Sequence, residues 1–179
     1  MKHLAILLSA LVIFGCSSNS VSLDYNSQTD FNAINRYALL APDEGLDPLM
    51  DKRIRTAIAE QLEAKGWQAL AEGDVQLSGD AVAIAYQAWQ ETRSRDSGMT
   101  IGVGGGRSSG NSSIGGSVAI PVGDSTRKVQ VIRIDMVQAG QLIWRASDDF
   151  NVSDRDSPEK RNERTQELVT RLLAQFPPQ

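Results

Sequence analysis

Histidine and cysteine are nearly absent: the 179 residues hold one of each, His3 and Cys16. A single cysteine has no partner for a disulfide within the chain. Aromatic residues make up only 6%, and the formal net charge at pH 7 is −4. That balance lacks the broad positive footprint of a nucleic-acid binder, so no nucleic-acid partner is expected. Beyond the first sixteen residues no apolar run approaches the roughly 20 residues that a membrane-spanning helix needs.

What is present starts at the amino end. Lys2 and His3 lead into the apolar run Leu4 to Phe14, then Gly15 and Cys16. A positive start, a short apolar stretch and a cleavage-like end form the three-part layout of an export signal, so residues 1–15 are expected to be removed. Ile13-Phe14-Gly15-Cys16 resembles the lipobox of bacterial lipoproteins, in which the cysteine thiol is diacylated and the new amino end is acylated by a palmitate-type chain. The resemblance implies lipidation at Cys16. Each buried methylene contributes about 0.8 kcal/mol, and one chain alone holds only marginally, so several chains would anchor firmly. Ser17 follows the cysteine instead of an aspartate, which by the same resemblance implies outer-membrane sorting with the domain in the periplasm.

That reading sharpens the first absences. His3 leaves with the leader and Cys16 is blocked, so the mature chain offers neither imidazole nor thiol. Ser-His-Asp and Cys-His nucleophiles and His-ligated zinc are then excluded. No cofactor or metal is expected. Carboxylate, lysine or tyrosine chemistry is all that remains.

Residues 16–20 read as a lipidated tether and 21–179 as one domain of ordinary size. Val21, Leu23 and Tyr25 alternate with polar residues as in a strand, and Tyr37 to Ala41 reads as a second. Between them Phe31 and Ile34 are expected to pack. Asp47 suits a helix cap, Pro48 a first turn and Gly66 a close. Met50, Ile54, Ile58 and Leu62, with Ala57, form one apolar stripe, while Asp51, Arg55, Glu60 and Glu63 read as a solvated face. Val75 and Leu77, then Val82, Ile84, Tyr86 and Ala88, alternate with a change of parity at Gly79-Asp80, as in a long strand with a break. Val129 to Val137 and Leu142 to Ser147 are expected to pair across a tight turn at Gln138 to Gln141. Ser157 and Pro158 start a last helix, whose Leu168, Val169, Leu172, Leu173 and Phe176 should dock. The expected fold is α+β: an antiparallel sheet with two helices packed on one face.

The spaced residues Asp24-Tyr25, Asp30-Phe31 with Tyr37, Arg53-Ile54 through Ala57-Ile58, Leu62 and Gly66, and Ile134-Asp135 with Gly140 to Arg145 resemble the bacterial lipoproteins that carry the domain of unknown function 4136. A Gly-rich insert before the last hairpin is similar too. The resemblance implies an envelope lipoprotein and brings no catalytic residues.

Three stretches invite a functional reading. Residues 98–123 hold more than half of the 15 glycines. Gly102-Val103-Gly104-Gly105-Gly106 lacks the Gly-Lys-Ser/Thr ending of a phosphate loop. Met99, Ile101 and Val103, with Ile114, Val118, Ile120 and Val122, alternate as in a β-hairpin, so the insert is either a hairpin or loop on the domain or a membrane-inserting element of an oligomer. Asp148 and Asp149, with Asp154 and Asp156, form the densest acidic cluster. Neighbours on a strand point to opposite faces, so strand-end turn chemistry is the simpler account of the first two. Asp135 is expected to pair with Arg133 or Arg145, and Trp144 and Trp67 to be core or half-core.

The expected function is non-enzymatic: an outer-membrane-anchored periplasmic lipoprotein that binds an envelope protein or the cell wall, or maintains the envelope. The alternatives are an oligomeric, pore-like lipoprotein using residues 98–123, and a carboxylate-dependent hydrolase using Asp135 or Asp148.

Overall fold

The computed structural model describes residues 21–42, 45–71, 79–94, 100–103, 118–121 and 126–178. The leader, Cys16, the tether, Val75, Leu77 and most of the Gly-rich stretch lie outside them. In chain order the elements are β1 (Ser22–Tyr25), a 3-10 turn at Phe31–Ala33, β2 (Arg36–Leu39), α1 (Pro48–Ala64), β3 (Gln68–Ala69), β4 (Ala81–Ser94), β5 (Thr100–Val103), β6 (Val118–Pro121), β7 (Thr126–Gln138), β8 (Gln141–Val152) and α2 (Pro158–Ala174). Six strands form one sheet in the order β1-β8-β7-β4-β2-β3.

The α+β architecture is the one expected, with one difference in the sheet. It is mixed: β2 runs parallel to both β3 and β4, while β4, β7, β8 and β1 are antiparallel neighbours. The cause is α1, which carries the chain back over the sheet between β2 and β3. Strands joined by such a crossover run parallel.

Local chemistry explains the helix ends. Asp47 accepts the Met50 N–H at 2.9 Å and Ser157 the Lys160 N–H at 3.2 Å, and each cap is followed by proline. At the end of α1 the Gly66 N–H donates to the Glu63 carbonyl and the Trp67 N–H to the Leu62 carbonyl, both at 2.9 Å. This paired pattern needs a left-handed residue, and Gly66 supplies it with φ of +82°.

Both helices cover one face of the sheet. Ile54, Ile58 and Leu62 of α1 and Leu168, Leu172 and Leu173 of α2 are fully buried against Ile84, Ile132, Ile134, Met136, Trp144 and Ala146. Register puts these strand residues on one side, since Met136 is paired with both Ile84 and Trp144, and Ile134 with both Tyr86 and Ala146. Phe176, just past α2, meets the rings of Phe31, Trp67 and Trp144 edge-on, with centroids 5.4, 5.3 and 5.8 Å away. Gln90, Thr92 and Lys128 lie further along the same face and are exposed, so the long strands run on beyond the helices.

Three strands are longer than their patterns indicate. β4 does not stop near Trp89 but continues to Ser94, paired residue for residue with β7 back to Thr126. β8 continues past Ser147 to Val152. No apolar residue follows Trp89 in β4, so alternation fades there while the backbone ladder goes on. The change of parity at Gly79-Asp80 is a turn before β4, which starts at Ala81.

Candidate functional site

Among the described residues, the sheet carries paired acidic side chains and a groove opens beyond the helices. Asp135 of β7 is held by Arg145 of β8, whose Nε and Nη2 donate to its two oxygens at 2.7 Å each, with Arg133 Nε 3.5 Å away. The hydrogen bond from Arg145 to Asp135 raises the guanidinium pKa. This is the cross-strand contact expected of the Arg-Asp-Arg pattern.

Asp148 and Asp149 do point to opposite faces, yet the turn explanation fails for both, because they sit inside β8. Asp148 lies on the apolar face, two and four residues beyond Ala146 and Trp144. Its side chain is wholly buried, and Arg171 of α2 donates from Nε and Nη2 to Oδ2 at 3.1 and 2.9 Å. Asp149, on the other face, accepts from Arg93 Nη1 at 2.5 Å. Arg93 also donates to Glu91 at 3.0 Å, and Trp89 donates its indole N–H to the same carboxylate at 2.7 Å. These bonds, the Trp89 one first, hold the Glu91 pKa below the usual carboxylate range. Asp154 pairs with Lys128 and Asp156 with Arg164. Every member of the acidic cluster is thus neutralised by a cation, and the four do not converge.

The α1 face read as solvated carries more than that reading allows. Tyr86 donates its hydroxyl to Asp51, and Arg55 donates to the Tyr86 oxygen at 3.3 Å and to the Leu40 carbonyl at 3.1 Å. Burial first, and the Asp51 bond second, push the Tyr86 phenol up to about 12. Trp144 is fully buried as expected, and its indole N–H finds no acceptor among the described residues. Trp67 is half-buried beside the core.

Where the strands outrun the helices, a groove of about 480 Å³ opens between the starts of α1 and α2 and the sheet. Leu46, Leu49, Met50, Ala88 and Phe150 supply its apolar wall, and Arg53, Arg161, Asp47 and Asp154 its charged rim. An apolar pocket with a few polar groups is the usual form of a binding site. Leu49 is 62% exposed there, an open position for so large an apolar side chain. Sequence reasoning missed this groove, although Phe150 and Val152 continue the even parity of Trp144 and Ala146 and signalled that the β8 face runs on. No three His, Cys, Asp or Glu side chains converge as a metal-ligand set among the described residues. None of the described helices is long and apolar enough to cross a membrane.

The Gly-rich stretch is described only at β5 and β6, which pair antiparallel from Thr100 with Pro121 to Val103 with Val118 as a separate two-stranded sheet. Gly104 to Gly106 and Ile114 lie outside the described residues.

Comparison with known proteins adds a family and a set of solved structures of similar fold. The family described as "Domain of unknown function (DUF4136)" matches residues 21–178. A PDZ domain protein from Parabacteroides distasonis is similar at 15% identity with a TM-score of 0.53, over 89% of this chain and 36% of that one. This chain therefore spans 36% of that protein's length, and the likeness is one of fold. The PelC dodecamer from Paraburkholderia phytofirmans matches at 11% identity and a TM-score of 0.47, over 86% of this chain and 94% of that one. No curated protein matches.

Proposed function

The chain belongs to the DUF4136 family, and from that premise we propose that it is an outer-membrane-anchored periplasmic lipoprotein that works by binding an envelope component and not by catalysis. The observation that carries the reading is the order of its parts. A leader-like run and Cys16 stand directly ahead of the domain match, which starts at residue 21. A tether so short would keep the folded domain close to the lipid surface. The ion pairs support the non-enzymatic half. Asp135, Asp148 and Asp149 are each held by arginine, whereas a general acid or base must be free to exchange its proton with a substrate. The groove between the helix starts offers a partner an apolar wall with a charged rim.

A second reading has one observation in its favour. The β5–β6 ladder is antiparallel, as a membrane hairpin from each of several subunits would require. Among the described residues the ladder has four paired positions, against the roughly 9 to 11 residues of a spanning strand.

Membrane fractionation with mass analysis of the amino-terminal peptide separates the two. Release of Cys16→Ser to the soluble fraction, with an acylated Cys16 in the native protein, is the expected result. Retention of Cys16→Ser in the membrane until residues 98–123 are also deleted would replace the lipid-anchor reading with insertion.

A further inference from the structure

The sheet has two overhanging edges beyond the core, and they are treated differently. On β8, past the end of β1, the outward groups are Asp149 and Asn151. The Asp149 N–H is occupied by Asp148 Oδ1 at 2.8 Å, and the Asn151 carbonyl by Arg164 Nη1 at 2.7 Å. Two of the four outward backbone groups of that edge are thus taken by side chains, one of the ways exposed strand edges are guarded.

The β4 edge is not. The Arg36 N–H donates to the Asp80 carbonyl and the Leu40 N–H to the Ile84 carbonyl, so the even-numbered residues of β4 turn their backbone groups away from β7. Alternation carries the same orientation to Tyr86, Ala88, Gln90 and Thr92. Among the described residues none of these four has a backbone partner on that side, because β2 ends at Leu39. The stretch contains no proline or lysine, the usual guards of an open edge, and Trp89 within it is 38% exposed.

The geometry points to this edge as the docking surface for a second copy of the chain, β4 pairing antiparallel with β4 about a two-fold axis at Gln90. The reach of the open edge and charge together select the register. Centred on Gln90, Trp89 faces the partner's Glu91, Ala88 faces its Thr92, and no like charges stand opposite each other. Centring on Glu91 would set two carboxylates face to face, which is destabilising. Centring on Trp89 would pair residue 94 with Ile84, whose carbonyl Leu40 already occupies. The Gln90 register uses the whole open edge, joins two six-stranded sheets into one, and is self-complementary as a two-fold contact must be. Trp89 and Glu91, bonded within one chain, would alternate with their symmetry mates along the seam. Ala88, Trp89 and Gln90 also line the groove, but the seam uses backbone groups and needs neither the lipid nor a ligand, so dimerisation can fail while the proposed function stands.

The test uses the full-length chain with Cys16→Ser, so that an introduced thiol is the only one. Opposed residues of a bonded antiparallel pair have Cα atoms about 5.5 Å apart, whereas the two copies of residue 92, four steps out of register, would lie about 14 Å apart. Gln90→Cys should therefore give a covalent dimer with a short thiol cross-linker, and Thr92→Cys should give little. Sedimentation equilibrium should show a dimer whose dissociation constant rises at least tenfold in Gln90→Pro, which removes an outward N–H and leaves the β7 ladder intact. A monomer at all concentrations, or equal cross-linking at residues 90 and 92, would overturn the proposal. If Gln90→Pro does not fold, the two cysteine variants decide.

Discussion

Arg171 of α2 reaches down to the sheet and places two guanidinium nitrogens 3.1 and 2.9 Å from Oδ2 of Asp148, a side chain with no exposure to solvent. The pair fastens the last helix to β8 at a point where the apolar face of that strand is interrupted by a charge. Arg171 itself is 43% exposed, which tempers the strength of the pair. Arg171→Met should cost about 1 to 3 kcal/mol, the range for losing hydrogen bonds to a buried charged group. Adding Asp148→Leu should recover part of that loss, since the unmatched carboxylate is then gone. Urea unfolding of the two single variants and the double variant measures the coupling, and strict additivity would refute it.

Ala139 and Gly140 form the turn between β7 and β8 with φ of +48° and +77°. Two successive left-handed residues favour Asn-Gly, and alanine in the first position is strained. Ala139→Asn should therefore raise stability by about 0.5 to 1 kcal/mol, seen as a higher urea midpoint at unchanged slope. Gly140→Ala should move the midpoint the other way.

These two sites differ in how legible they are. The turn can be read from Gln138 to Gln141 because hairpin chemistry is local, and α1 can be read from Asp47, Pro48 and Gly66 for the same reason. Arg171 and Asp148 lie 23 residues apart on different elements, and neither has a neighbour that names the other. Alternation does place Asp148 on the buried side of β8, but an acid there resembles a strand end until its partner is seen. The parallel pairing of β2 is likewise hidden, because Arg36 to Leu39 looks the same in either direction; only the path of α1 decides. The groove depends on how far strands outrun helices; the parity of Phe150 and Val152 marks this on β8, but the polar end of β4, laddered to β7, carries no such mark. Cys16 is the reverse case, conspicuous in the sequence and outside the described residues.

Phe176 follows the last turn of α2 and is 3% exposed, with three aromatic rings edge-on around it. It links Phe31 before β2, Trp67 after α1 and Trp144 in β8. Phe176→Ala should cost about 3 to 5 kcal/mol, as large-to-small changes in a packed core do. Trp67 and Trp144 both lose a ring contact, so tryptophan emission of the folded variant should shift to the red. A change below about 1 kcal/mol would mean that the chain end is not part of the core.

Tyr86 ties the stability of the domain to alkaline pH. Its phenol is pushed up to about 12, mainly by burial and then by the bond to Asp51, while an unfolded tyrosine ionises near 10. Below pH 10 the group is neutral in both states and its contribution is fully present. Between about 10 and 12 the unfolded chain gives up the proton and the folded chain keeps it, so rising pH favours unfolding. The slope should reach at most about 1.4 kcal/mol lost per pH unit from this group. Tyr37 is also raised, by burial first and Glu63 second, and adds in the same direction. Unfolding curves from pH 9 to 12 for the native chain and Tyr86→Phe isolate the first contribution as their difference. That difference should shrink as pH climbs through this window, because phenylalanine has no proton to lose; a constant difference would show that the Tyr86 hydroxyl titrates normally in the folded protein.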